Sequence, residues 1–286
     1  MSFPTFLNPF TDFGFKKLFG EEASLPLLKS FLNSLLPEHH QIQKLEFKNS
    51  EFMGRSVHDR RAIFDLYCEA SSGEKFIVEL QKEKQNFFKD RSVYYATFPI
   101  QEQAQRGNWD FQLTPVYCIG ILDFCFQSNG LKKQVHHVIQ LKNQENKVFY
   151  DKLTFIYLEM PNFTKTESEL KTKFDLWLYF FKHLADLQEI PRVFMGKEEF
   201  ETAFETASLA TLTHKEHLVY EDSLKAYRDL NNVLDTKYET GKKEGKKEGL
   251  AEGMEEGLAE GMKFALAQLI ATGMSEKDAR TLLKMD

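Results

Sequence analysis

Ala62-Ile63-Phe64-Asp65-Leu66-Tyr67-Cys68-Glu69-Ala70-Ser71-Ser72-Gly73-Glu74-Lys75-Phe76-Ile77-Val78-Glu79-Leu80-Gln81 is the stretch whose reading decides the fold. Ile, Val, Phe and Tyr dominate both of its halves, so residues 62–70 and 75–81 read as two strands. Ser71-Ser72-Gly73 joins them as a hairpin loop, with Gly where a left-handed backbone is wanted. Side chains alternate along a strand. Phe64, Leu66 and Cys68 therefore share one face of the first strand, and Asp65, Tyr67 and Glu69 the other. On the second strand, Phe76, Val78 and Leu80 oppose Ile77, Glu79 and Gln81. Centring the turn on Ser72 sets Phe64 against Leu80, Leu66 against Val78 and Cys68 against Phe76, a coherent apolar face.

The same register sets Asp65 directly opposite Glu79. Like charges so placed are destabilising, with Cβ atoms only about 5 Å apart. Three arrangements relieve the conflict. A divalent cation bridges the pair, as Mg²⁺ does with one or two carboxylates; one carboxyl stays protonated; or both sit at a solvated edge beside an Arg.

Outward from the hairpin, Leu25, Leu28, Phe31, Leu32, Leu35 and Leu36 have helical spacing, which Pro37 ends. Residues 42–47 alternate loosely as a strand. Residues 87–106 read as a helix in which Pro99 predicts a kink or break. There Arg91 and Tyr95 lie four residues apart on one face. They either reach a phosphate, or Tyr95 packs while Arg91 pairs with a surface carboxylate. The dense apolar run 114–124 reads as a buried strand, and residues 134–141 and 152–159 as two more. Residues 166–240 are helical by pattern, broken at Pro191. Asp12 and Lys16, one helical turn apart, read as an ion pair. His214 and His217 lack a third ligand and read as surface residues.

The 286 residues carry a net charge of −6. A broad basic face for nucleic acid is therefore not expected, and any such binding is local or bridged by metal ions. The local candidates are Arg55 to Arg61 and Lys82 to Arg91, each of which reads equally well as a solvated charged face. Cys68, Cys118 and Cys125 form no CxxC pair, so neither a zinc site nor a disulfide framework is indicated. Their number suits a reducing, cytoplasmic setting. No signal-peptide pattern and no run of 18 apolar residues is found, so no membrane partner is expected.

From Gly241 to Gly261 glycine recurs at every fourth position, separated mostly by Lys and Glu. Each Gly weakens a helix by roughly 1 kcal/mol relative to Ala. Two readings stay open: a flexible or marginally helical linker, or a helix that pairs with its copy in a homodimer, small residues permitting close approach. Beyond it, Ser275 and Asp278 resemble a helix-capping box.

Asp65, then Glu79-Leu80-Gln81 across a hairpin, resembles the Asp…Glu-x-Lys signature of PD-(D/E)XK nucleases, with Gln in the place of Lys. With Asp12-Phe13-Gly14-Phe15-Lys16-Lys17-Leu18-Phe19, Arg91-Ser92-Val93-Tyr94-Tyr95 and Leu158-Glu159-Met160-Pro161, the ordered set resembles the Rpn family of recombination-promoting nucleases, also labelled transposases. The resemblance covers roughly residues 5–240. It implies an α/β fold, an αβββαβ core with a central mixed sheet flanked by helices. The core would span residues 1–165, a helical extension packed on it 166–240, and the repeat and helical tail 241–286.

The resemblance further implies a Mg²⁺-dependent (or Mn²⁺- or Ca²⁺-dependent) endodeoxyribonuclease, serving recombination, mobile elements or defence against foreign DNA. Asp65, Glu79 and the Leu80 carbonyl would hold the metal and Gln81 would complete the catalytic set. Arg91, Tyr95 and Lys82 would contact DNA. Asp12 and Lys16 belong to the family pattern, and their part in the site stays open. Gln81 supplies no positive charge, so the alternative is a nuclease-fold binding or assembly protein with weak or no catalysis.

Overall fold

The computed structural model describes residues 4–52, 62–104, 109–126 and 133–285. Two units divide it, 1–227 and 228–286. The first begins with helices α1 (Asp12–Phe19) and α2 (Leu25–Leu35), followed by β1 (Leu45–Phe47), β2 (Glu51–Phe52), β3 (Ala62–Ile63), β4 (Leu66–Ala70) and β5 (Lys75–Gln81). Helix α3 (Phe88–Glu102) leads to β6 (Val116–Leu122), β7 (His136–Lys142) and β8 (Val148–Glu159). Helices α4 (Lys173–His183), α5 (Glu198–Ala207), α6 (His214–Ala271) and α7 (Glu276–Leu282) complete the chain.

Six strands form a mixed sheet in the order β1-β4-β5-β6-β8-β7. β4 runs antiparallel to β1 and β5, while β5, β6 and β8 are mutually parallel. The β5-α3-β6 passage is the crossover that a parallel pair requires. β5 and β6 are covered on both faces, which explains why they read as near-continuous apolar runs. On one face Leu66, Cys68, Phe76, Val78 and Ile121 pack against α1, α2, α4 and α5. On the other, Phe64, Tyr67, Ile77 and Cys118 pack with Phe88 and Ala96 of α3. This is the αβββαβ core the sequence implied.

The hairpin turn is as expected. Gly73 has φ +96° and its N–H donates to the Ala70 carbonyl at 2.8 Å. Leu66 pairs with Val78 and Cys68 with Phe76.

The strand expected over residues 62–70 is, however, two pieces. β3 leaves to pair with β2, and the Phe64 N–H donates to Ser50. Phe64 packs on the α3 side with Tyr67, not with Leu66 and Cys68. The simple alternation is thus broken at Asp65, because the pocket among Tyr67, Tyr95 and Phe98 accepts the Phe64 ring edge-on. The Phe64–Leu80 pairing is corrected accordingly.

The break expected at Pro99 is not made. α3 runs on to Glu102 with Pro99 buried. The glycine repeat lies within the continuous α6, and a Cβ added at any of its six glycines would meet nothing within 4 Å. Neighbouring packing therefore does not require glycine there. Ser275 caps α7 by accepting from the Asp278 N–H. No helix among the described residues is long and apolar enough to cross a membrane. Arg55 to Arg61 lies outside the described residues.

Candidate active site

Asp65 and Glu79 meet where β4 begins and β5 continues past it. The last ladder pair at this end is Leu66 with Val78, so the Asp65–Glu79 pair is not the cross-strand pair expected from a regular hairpin. The break at Phe64 turns the Asp65 carboxylate toward the β5 backbone. Its Oδ2 accepts the Leu80 N–H at 2.7 Å, and its own N–H donates to Glu79 Oε1 at 3.3 Å. Glu79 Oε2 accepts from Gln81 Nε2 at 3.2 Å. The Gln81 carbonyl accepts from the Asp123 N–H on the β6 side at 2.9 Å. Backbone groups alternate between the edges of a strand, so the Leu80 carbonyl leaves β5 on the Asp65 side, as its N–H does.

Both carboxyls are raised above their ordinary range, and burial is the largest cause for each. For Glu79 the charge of Asp65 comes next. The Leu80 N–H, Lys16 and Lys82 act the other way on Asp65, and Arg91 and Gln81 do so on Glu79. Asp12 and Lys16 form the expected exposed ion pair at 3.3 Å. The Asp12 charge raises the Asp65 carboxyl and that of Lys16 lowers it.

A group whose folded pKa is raised favours folding below its unfolded value and loses that contribution as pH rises. In EDTA, Asp65→Asn is therefore expected to be more stable than the wild type, by about 1 kcal/mol. Asn still offers an acceptor to Leu80 while the charge facing Glu79 is gone. The gain should be small near pH 4 and grow above the ordinary carboxylate range of about 4. Urea denaturation at acid and neutral pH decides it, and a loss of stability at neutral pH contradicts the charge conflict.

Arg91 and Tyr95 of α3 line, with Glu79, a small cavity of about 20 Å³ that also touches Gly120 and Tyr157. Tyr95 packs edge-on against Phe64, and burial, then the Glu79 charge, raises its phenol. The Arg91 guanidinium lies 5.6 Å from the Tyr95 ring and donates to the Gln85 side chain. Lys82 directly follows Gln81, half-buried.

Gly120 and Tyr157 escaped the sequence reading. Gly120 is the register partner of Glu79 on β6, and a Cβ there would lie 2.9 Å from Tyr157 Cδ1. A glycine inside an apolar strand was the available signal, since it often marks close approach of a neighbour. His214 and His217 belong to no metal-binding cluster among the described residues.

A family model described as PD-(D/E)XK nuclease family transposase matches residues 9–237. No curated protein and no solved structure matches the chain.

Proposed function

We propose, from the premise that this chain belongs to the PD-(D/E)XK nuclease family transposases, that it hydrolyses DNA phosphodiester bonds internally with the help of a divalent cation. The observation that carries this reading is the convergence of Asp65, Glu79 and the Leu80 main chain at one end of β5.

The donor chemistry fits a hard cation. Two carboxylates and a carbonyl are oxygen ligands, and Mg²⁺ uses one or two carboxylates while keeping waters for substrate phosphates. Mn²⁺ and Ca²⁺ share the preference for oxygen. Asp65, Glu79 and the Leu80 carbonyl would hold the ion. When bound, it supplies positive charge against the phosphoryl transition state and makes water a stronger nucleophile.

The protein's own groups do the rest. Gln81, hydrogen-bonded to Glu79, orients the attacking water through its amide. Arg91, beside Glu79 on the cavity wall, provides the fixed positive charge that Gln81 lacks. Tyr95 and Lys82 flank the phosphate. Attack by the water oxygen on phosphorus breaks the bond to the bridging sugar oxygen, which leaves and takes a proton. Recombination, mobile-element transfer and defence against foreign DNA are the settings such chemistry would serve.

Plasmid nicking in Mg²⁺, Mn²⁺, Ca²⁺ and EDTA tests the reading. Cleavage should require the metal. A Gln81→Lys variant should cleave at least as fast as wild type, and Gln81→Ala about tenfold more slowly, the worth of one hydrogen bond. Equal rates for the three would make Gln81 a bystander. Metal-independent DNA binding without cleavage would favour the alternative, a binding protein with weak catalysis, which the missing charge at Gln81 already makes reasonable.

A further inference from the structure

Phe87, like Phe111, is an exposed aromatic residue with a left-handed backbone. It precedes α3 in the left-handed region, at φ 60° and ψ 24°, and is 78% exposed. A bulky residue in that conformation is strained, and such strain clusters at binding and catalytic sites. Exposure removes the usual compensation, since the ring buries little apolar surface. Neither local backbone preference nor packing accounts for Phe at this position.

Its surroundings are built from two kinds of group. Phe87, Phe124, Phe126, Lys84 and Lys89 line a cleft of about 270 Å³. That is near the lower end of small-molecule sites, roughly 300–1,000 Å³. Buried Phe88 forms its floor, 6.0 Å from the Phe124 ring and 6.3 Å from the Phe126 ring. Lys89 Nζ lies 4.7 Å from the centre of the Phe126 ring. From Lys82 to Arg91 the cations Lys82, Lys84, Lys89 and Arg91 face only Glu83 and Asp90, in a chain whose net charge is −6. Local positive charge on an acidic protein complements a phosphate backbone.

The cleft adjoins the candidate active site from two directions. Lys82 follows Gln81 in the chain, and the Asp123 N–H, next to Phe124, donates to the Gln81 carbonyl at 2.9 Å. Arg91, which lines the cavity with Glu79, lies 5.5 Å from the Phe88 ring.

We infer that Phe87 and the Phe124–Phe126 wall form a stacking subsite for one unpaired base of the DNA strand being cut, with Lys84 and Lys89 holding its flanking phosphates. This rests on the nuclease reading above and names its substrate class. Aromatic platforms combined with lysines suit single-stranded nucleic acid, because every base offers a π face. Paired bases in a duplex are stacked on one another and present only edges and phosphates, which Phe cannot hydrogen-bond. The preferred substrate is therefore single-stranded, gapped or distorted DNA.

The test uses the full-length Asp65→Asn chain in Ca²⁺, so that binding is read without cleavage. A single-stranded oligonucleotide carrying 2-aminopurine should be quenched on binding. Adding Phe87→Leu should weaken single-strand binding about tenfold, the worth of one stacked base, and abolish the quench. Fully paired duplex binding should change less than about twofold, since stacking is absent there. Adding Phe87→Gly should lose the quench equally while raising Tm, because glycine relieves the left-handed backbone.

Unchanged single-strand binding in Phe87→Leu overturns the inference, as does an equal loss on duplex or no binding to either. Nicking by the wild type separates this from the nuclease reading. Cleavage with Phe87 silent sinks only the subsite, whereas stacking without metal-dependent cleavage sinks the nuclease.

Discussion

Asp65→Ala is expected to lower metal-dependent DNA cleavage by more than about a thousandfold, since a metal centre supplies several kcal/mol and each 1.4 kcal/mol is worth tenfold in rate. Two effects combine. On the proposed reading the cation would lose one of its two carboxylates, leaving Glu79 as the only charged ligand. The Leu80 N–H, which donates to Asp65 Oδ2 at 2.7 Å, also loses its acceptor. An unsatisfied buried donor costs about 1–3 kcal/mol, so some loss of stability is expected with Ala. Asp65→Asn separates the two, because it retains an acceptor for Leu80 but not the charge. It should abolish cleavage while remaining folded and, in EDTA, more stable than wild type. Nicking assays beside thermal melts of both variants provide the readout. Cleavage by Asp65→Asn at the wild-type rate would remove Asp65 from the catalytic set.

Gly14→Ala is expected to be the most damaging conservative change to the fold. A Cβ at this position would lie 2.1 Å from the Asn8 carbonyl oxygen and 2.8 Å from Thr11 Oγ1. The carbonyl cannot retreat. It accepts from Thr11 Oγ1 at 2.7 Å, and Thr11 in turn accepts the Gly14 N–H at 3.0 Å as the N-cap of α1. The Asn8 side chain accepts the Phe10 N–H at 2.8 Å, and the Asn8 N–H donates to the Tyr220 hydroxyl at 2.8 Å. The turn is held on every side, so the added methyl must displace the first turn of α1 and the buried rings of Phe15 and Phe19 behind it. A loss of about 3 kcal/mol or more follows. For a unit of this size that lowers Tm by roughly 6–12 °C. A melting point within about 1 °C of wild type would refute the close approach. The Asp12-Phe13-Gly14-Phe15 stretch thus owes its pattern at Gly14 to packing and capping.

The hairpin, its turn and most of its register follow from local residue pattern. Alternation has a period of two, and a slip by one residue would have moved Leu66, Cys68, Val78 and Phe76 out of the core. The order of elements follows likewise, because Gly73, Pro37 and Pro191 punctuate apolar runs of distinct period. Asp65, Glu79 and Gln81 were legible as a group for the same local reason: all three lie within the hairpin. Gly120 and Tyr157 were not, because a parallel neighbour arrives through the α3 crossover, and no local pattern in 75–81 specifies which residue of 116–122 faces Glu79. Nor could alternation foresee the break at Phe64. A single ring that gains more by packing against Tyr67, Tyr95 and Phe98 than by continuing the strand overrides the local period. That break shapes the candidate site. It releases Asp65 from the ladder and turns its carboxylate onto the Leu80 N–H. The carboxylate types and their spacing are local properties of the chain, whereas their convergence on one strand end depends on Phe64 packing against side chains of both β4 and α3.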